Sequence, residues 1–304
     1  MTKMNISPLI KPQTNIAVPE QPTWDDPYAT MTLQSALPGH AYHYIDRKIS
    51  SNWITERDID LVRFIFVHRW LVLKQIERLF FPEVERDKSV RNRLNRLIDY
   101  GLIRRTQWTS YSQPEKNRPS LYEMGDSGTD ILKNKFGIIP GQRDPRMAKP
   151  ATMLYRMRYV ITNELYIQLR ESFDLIHFEF HPSLKRKEDH VVPTAKFVLR
   201  NPKGREMPFY LLCHRQDEKW VKTIRFQMRF MKEFISAEDK MATVIVLVSS
   251  DEKASLANKI AEQEGAASSI WYVTDKDLLD GDFDIRRQGF FTFNNGEKVY
   301  YDLR

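Results

Sequence analysis

Between residues 54 and 100 apolar positions recur every three or four residues, the spacing of helices with one buried face. A first helix is expected from Thr55, because Thr55-Glu56-Arg57-Asp58 has the form of a capping box with Asp in its fourth place. Ile59, Val62 and Phe66 follow at helical spacing and point to a core. A second helix is expected over Leu73 to Phe80, with Ile76, Leu79 and Phe80 inward and Pro82 ending it. A third covers roughly Asp87 to Tyr100. Val90, Leu94, Leu97 and Ile98 lie at i, i+4, i+7 and i+8, on one face. Lys88, Ser89, Arg91, Asn92, Asn95 and Arg96 fall on the opposite face. Gly101 stops this helix where a positive φ is needed.

After Gly101 the period changes to two. Leu102 to Trp108 alternates as a strand, Gln113 to Pro119 is a turn, and Ser120 to Met124 returns. Helix, helix, basic helix and hairpin are the parts of a winged helix-turn-helix, placed over residues 51–140. A short helix is expected over Ser127 to Phe136, and Gly137 to Pro145 is expected as a linker. Residues 1–50 carry Pro8, Pro12, Pro19, Pro22, Pro27 and Pro38 without a clear period, which predicts a poorly ordered arm. Its Trp24, Tyr28, Tyr42 and Tyr44 offer surface for packing on a neighbour or a partner chain.

Residues 150–304 read as a second, α/β domain. Strands are expected near 173–180, 196–200 and 208–213, then a helix over 218–235. Thr243 to Ser249 is a continuous apolar run, the mark of a strand buried on both faces. A helix near 252–264 and a strand near 269–273 follow. The fold class is therefore α+β, a winged helix-turn-helix followed by an α/β domain.

Charge sharpens this picture. The chain of 304 residues has a formal net charge of +7, which favours a polyanionic partner. Much of the excess lies in one stretch: Arg86, Lys88, Arg91, Arg93, Arg96, Arg104 and Arg105 against Asp87 and Asp99. Arg and Asn side chains match the edges of guanine and adenine in the major groove. Lys and Ser suit phosphate oxygens. The candidate DNA-binding set is Lys88, Ser89, Arg91, Asn92, Asn95 and Arg96, with Arg104 and Arg105 at the helix exit. Lys116, Asn117 and Arg118 at the hairpin tip would meet a flanking phosphate or minor groove. The alternative is a winged unit used only for protein contacts, which usually lacks so basic a face.

Other chemistry is thin. Cys213 is the single cysteine, so no internal disulfide or zinc ribbon can form. No apolar run approaches the roughly 18–20 residues of a membrane span, and no signal peptide is evident. A cytoplasmic protein without a membrane partner is expected. The sequence has no Walker loop, Gly-x-Ser-x-Gly elbow or dinucleotide fingerprint.

Four stretches carry a resemblance: Ile54 to Asp60, Ile76 to Phe80, Arg91 to Ile103, and Leu121 to Gly128. Together they resemble the replication-relaxation family of plasmid and mobile-element proteins. The resemblance implies a role in plasmid replication, DNA relaxation or mobilisation; with the basic helix and hairpin, the expectation is a sequence-specific binder of double-stranded DNA that recruits a replication or transfer protein. It also implies that the second domain resembles the nuclease fold with the PD-(D/E)xK signature. That chemistry needs carboxylates to hold a divalent metal and a nearby Lys to activate water. The matching positions here hold Thr194, Leu212 and His214. No hard-cation cage results, so the domain is expected to be catalytically inactive and to need no cofactor. Glu188 and Asp189 are the nearest substitutes, but they sit in a charge run with Lys185, Arg186 and Lys187. His177, His181, His190 and His214 lack the tight spacing of a zinc site. Two competing functions are a transcriptional regulator of mobile-element genes and a metal-dependent nuclease, the latter disfavoured by Thr194 and Leu212.

The helix over 218–235 leaves two readings open. Val221, Ile224, Met228, Met231 and Ile235 form a core stripe, flanked by Phe226, Phe230 and Phe234 and by Lys222, Arg225, Arg229 and Lys232. Either the helix is buried over a wide arc with an ordinary charged edge, or the Phe stripe meets a second protomer or the winged unit. In the second case the chain forms a homodimer or an interdomain contact, with the basic edge toward phosphates.

Overall fold

The structure, a computed structural model, describes residues 29–34, 42–83, 87–110, 117–215, 219–279 and 283–303. The first half runs β1 (Thr30–Gln34), α1 (Tyr42–Ser50), α2 (Glu56–His68), β2 (Leu71–Val72), α3 (Leu73–Phe80), α4 (Asp87–Asp99), β3 (Ile103–Thr109), β4 (Leu121–Met124) and α5 (Asp126–Phe136). The second half runs α6 (Met153–Ser172), β5 (Asp174–Phe180), β6 (Leu184–Arg186), β7 (Asp189–Val191), β8 (Ala195–Arg200), β9 (Glu206–Cys213), α7 (Trp220–Glu238), β10 (Thr243–Val248), α8 (Asp251–Gln263), β11 (Ile270–Thr274), α9 (Asp275–Leu279), α10 (Ile285–Gln288), β12 (Phe291–Asn294) and β13 (Glu297–Tyr300). The fold is α+β, with helices on mixed and antiparallel sheets.

The expected capping box of α2 forms. The Thr55 backbone N–H donates to Asp58 Oδ2 at 2.7 Å, and the Asp58 N–H reaches Thr55 Oγ1 at 3.4 Å. Val90, Leu94, Leu97 and Ile98 of α4 are all buried, and they join Ile59, Val62 and Ile76 in one core. Gly101 takes a φ of 70° and ends α4. The start of α5 then packs onto this turn, and a Cβ at Gly128 would meet the Leu102 carbonyl oxygen at 2.3 Å. Among the described residues the first sheet has the order β1-β3-β4-β2, all antiparallel.

Part of the segment expected to be poorly ordered is regular. Thr30-Met-Thr-Leu-Gln34 alternates polar and apolar positions and pairs with β3 from Thr30↔Thr109 to Gln34↔Arg105. Tyr42, Ile45 and Ile49 recur at helical spacing on α1 and pack on the first core. The prolines that suggested disorder flank these elements: Pro27 and Pro38 lie outside both. The rest of that arm lies outside the described residues.

The second half is a seven-stranded sheet, order β13-β12-β11-β10-β9-β8-β5, as far as the described residues show. Strands β9, β10 and β11 run parallel, and antiparallel pairs extend the sheet on both sides. The apolar run in β10 lies between two cores, Val244, Val246 and Val248 facing one and Ile245 and Leu247 the other. This is the doubly covered strand that its composition predicts.

Helix α6 is the element that sequence periodicity missed. It is buried over most of its circumference, so no single apolar stripe marks it. Ile161, Leu165 and Leu169 pack on the sheet of the second half. Met153, Met157, Tyr159 and Val160 pack on Trp70, Val72, Trp108 and Leu121 of the first. Its polar residues are buried because they bond. Asn163 Nδ2 donates to the carbonyls of His68 and Trp70 at 3.0 and 2.7 Å. Gln75 Nε2 donates to the Val160 carbonyl at 2.9 Å, and Arg78 pairs with Glu164 and Glu171. The expected linker is likewise held: Arg143 donates to the Phe66 carbonyl at 3.1 Å, and Arg146 bridges Asp130 and Asp144. The two halves therefore share a bonded junction built on α6.

Candidate nucleic-acid interface

Helix α4 separates its residues as its pattern requires. All six polar residues of the candidate set on it, Lys88, Ser89, Arg91, Asn92, Asn95 and Arg96, are exposed. Arg93 is the exception among its basic residues. It turns back to the buried Asp58 of the α2 cap, donating from Nε to Oδ1 at 3.0 Å and from its other arm to Oδ2 and the Trp53 carbonyl. This pair ties α4 to the cap of α2. A charge count along the helix could not find it; the partner lies 35 residues away in sequence.

Arg105 extends the polar face onto β3. Its guanidinium donates to Asn95 Oδ1 at 3.3 Å and to Gln34 Oε1 at 2.9 Å. Below it opens a cleft of about 820 Å³, whose walls include Lys74, Arg91, Arg105, Asn117 and Arg118 from the first half and Ile161, Glu164 and Leu279 from the second. Lys74 belongs to the first turn of α3. In sequence it is a single Lys outside the basic stretch of α4, with nothing to mark it, yet it lines the same cleft as Arg91 and Arg105. Arg118 sits 5.4 Å from the Trp108 ring, a cation–π contact that fixes the hairpin side of the cleft. Asn117 is exposed beside it. Lys116 lies outside the described residues.

Arg104 does not join this face. Successive residues of a strand point to opposite sides, and Arg104 points toward the junction with α6. There it lies 3.5 Å from Glu123 Oε1. Arg156 of α6 pairs with Glu123 Oε2 at 2.9 Å, and the Trp70 indole donates to the same oxygen at 2.5 Å. Arg104 is thus a junction residue, a correction to the candidate set.

The positions matched to nuclease chemistry carry no carboxylate, and all three are buried. Thr194 Oγ1 accepts the Cys213 N–H at 3.0 Å, and Leu212 is in the core of the second half. Burial pushes the His214 imidazole down to about 3, so it stands neutral where a cation would be needed. The next residue, Arg215, is consumed by a buried ion pair with Asp275 at 2.6 Å. Asp189 and Glu188 lie in the β6–β7 hairpin, and Arg186 of that hairpin pairs with Glu233 on α7. The four histidines are scattered: His181 bonds the Tyr159 hydroxyl at 2.6 Å and His190 bonds Ser183 at 2.8 Å. Among the described residues no group of three His, Cys, Asp or Glu could hold a metal ion.

On α7, Phe230 is buried and Phe234 partly so within the chain's own core, and only Phe226 of that stripe is exposed. Val221, expected in the core stripe, is exposed too. The basic edge is engaged at home: Arg225 and Arg229 lie 3.6 and 3.5 Å from Glu264, and Lys232 donates to its carbonyl. The wide-arc reading fits this helix. Among the described residues no helix is long and apolar enough to cross a membrane.

Comparison with known proteins finds a family likeness in part of the chain. The profile of the replication-relaxation family matches residues 62–202, a span that starts within α2, includes α4 and all of α6, and ends just past β8. Over that span, a little under half of the chain, the chain is similar to replication-relaxation proteins, and three of the four stretches that carry the resemblance lie within it. No curated protein matches the chain. Among solved structures, EndoMS in its apo form is similar at 11% identity over 53% of this chain and 57% of that one, with a TM-score of 0.17. The chain thus spans little more than half the length of that structure.

Proposed function

We propose that the first half is a winged helix that binds duplex DNA, with α4 as its reader in the major groove. The observation that carries the proposal is the clean division of α4: six polar residues suited to bases and phosphates exposed, four apolar ones buried. Arg91, Asn92 and Asn95 would contact base edges. Lys74, Lys88 and Arg105 would contact phosphates, and the hairpin would flank the site. The family match supports a role in replication or relaxation of plasmid or mobile-element DNA, with a replication or transfer protein recruited to the bound site. The second half, whose α6 packs on α3 and β2 of the first, would act in docking rather than in cutting. The neutral set at Thr194, Leu212 and His214 supports that reading.

Fluorescence anisotropy of the full chain on labelled duplex, repeated across salt concentrations, tests it. Affinity should fall steeply with salt, and Lys74→Ala should lower the slope by about 1 while weakening all sequences alike. A salt-independent signal, or none at low ionic strength, would remove the proposal.

A further inference from the structure

A second pocket, of about 360 Å³, lies on the far side of β3 from the reader, at the junction of the two halves. Its charged lining is Arg69, Arg104, Arg143, Lys149, Arg156 and Glu123. Five cations thus face one carboxylate. Glu123 is already engaged by Arg104, Arg156, Trp70 and Thr106. Among the described residues Arg69, Arg143 and Lys149 make no ion pair, and Arg104 Nε is buried without a partner. A fixed cluster of unneutralised cations in a concave site is the arrangement that binds a polyanion.

Two of these guanidiniums are mounted on rings. Arg69 lies 4.9 Å from the Trp70 ring and Arg143 lies 5.2 Å from the Phe66 ring. These contacts restrain the two guanidiniums, and a guanidinium with free N–H groups suits phosphate oxygens. Arg69 also has φ 67° and ψ −66°, a strained backbone for a non-glycine residue. Such strain gathers at ligand clamps. The remaining wall is apolar. Met31 and Leu33 of β1 face the pocket and are left 40% and 49% exposed, beside Phe66.

We propose that this junction pocket binds a nucleoside di- or triphosphate, with its phosphates on Arg69, Arg143 and Lys149 and its base against Met31, Leu33 and Phe66. The volume lies in the range of small-molecule sites and is far too small for a duplex. Domain junctions are common places for such sites. The proposal does not depend on how α4 reads DNA.

Isothermal titration of the full chain with ADP, pyrophosphate and adenosine tests it. ADP should bind at least about tenfold more tightly than either fragment. Arg69→Ala and Arg143→Ala should each weaken ADP about tenfold or more, whereas Arg91→Ala on the reader should not change it. Leu33→Asp changes an exposed side chain that the core does not need. It should weaken ADP and leave pyrophosphate unchanged, so the test survives if an arginine variant fails to fold. No heat with ADP at about 1 mM would overturn the proposal. So would pyrophosphate binding as tightly as ADP, ADP binding indifferent to the Arg69, Arg143 and Leu33 changes, or displacement of ADP by short duplex DNA.

Discussion

Asn163 and His68 exchange two hydrogen bonds across the junction: Asn163 Oδ1 lies 2.8 Å from His68 Nδ1, and Asn163 Nδ2 donates to the His68 carbonyl at 3.0 Å. The amide's other hydrogen goes to the Trp70 carbonyl. Its oxygen must therefore accept, and His68 Nδ1 must carry the proton. One side chain of α6 thus ends α2, orients a neutral imidazole and joins the halves. Asn163→Ala should destabilise the protein by about 2–4 kcal/mol, because it leaves buried donors and acceptors unmatched. Urea unfolding followed by far-UV circular dichroism checks this. The wild type should unfold in one transition, and the variant should unfold at lower urea.

Acid should loosen the same junction. Burial pushes His68 down to about 4 and His214 to about 3, against an ordinary value of 6.5. Between pH 6.5 and 4 the unfolded chain takes up protons that the folded imidazoles refuse, so stability falls as pH falls through that window. Each histidine should account for about 3 kcal/mol of the loss by pH 4. Urea midpoints from pH 7 to pH 4 measure it, and His68→Gln should flatten the dependence.

Helix α4 is held by Asp58, which caps α2 and pairs with Arg93 of α4. Asp58→Ala removes both and leaves a partly buried guanidinium without its carboxylate. A loss of about 3–5 kcal/mol is expected, checked by the urea midpoint. Arg93→Met keeps the cap and most of the side-chain volume, so it should cost less than Asp58→Ala.

Cleavage should be absent. Incubation of supercoiled and linear DNA with the full chain and magnesium should give neither nicks nor linear product. Nicking that Glu188→Gln or Asp189→Asn abolishes would mean that the β6–β7 hairpin supplies the carboxylates.

The first core and the polar face of α4 could be read from sequence because each depends on spacing within one helix. Val90, Leu94, Leu97 and Ile98 face inward whatever the rest of the chain does. The part that could not be read is what long-range partners decide. Arg93 and Arg104 look like their basic neighbours in sequence, yet Asp58 and Glu123 draw them away from the polar face. Helix α6 hid because Asn163, Glu164 and Arg156 break its apolar pattern, and they are buried only because the first half supplies their partners. The phenylalanines of α7 offered a dimer surface until the chain's own core was seen to cover Phe230 and Phe234. Strand β1 did alternate with period two, but five residues among prolines are too few to stand out.

The central claim is that the exposed face of α4 reads base sequence. Selection of bound duplexes from a random pool, run in parallel on the wild type and on Arg91→Ala, Asn92→Ala and Asn95→Ala, tests it most directly. The wild type should enrich one motif, and each variant should relax preference at its own position, at about 1–3 kcal/mol per base contact. Enrichment of no motif, or of the same motif undiminished in all three variants, would contradict it.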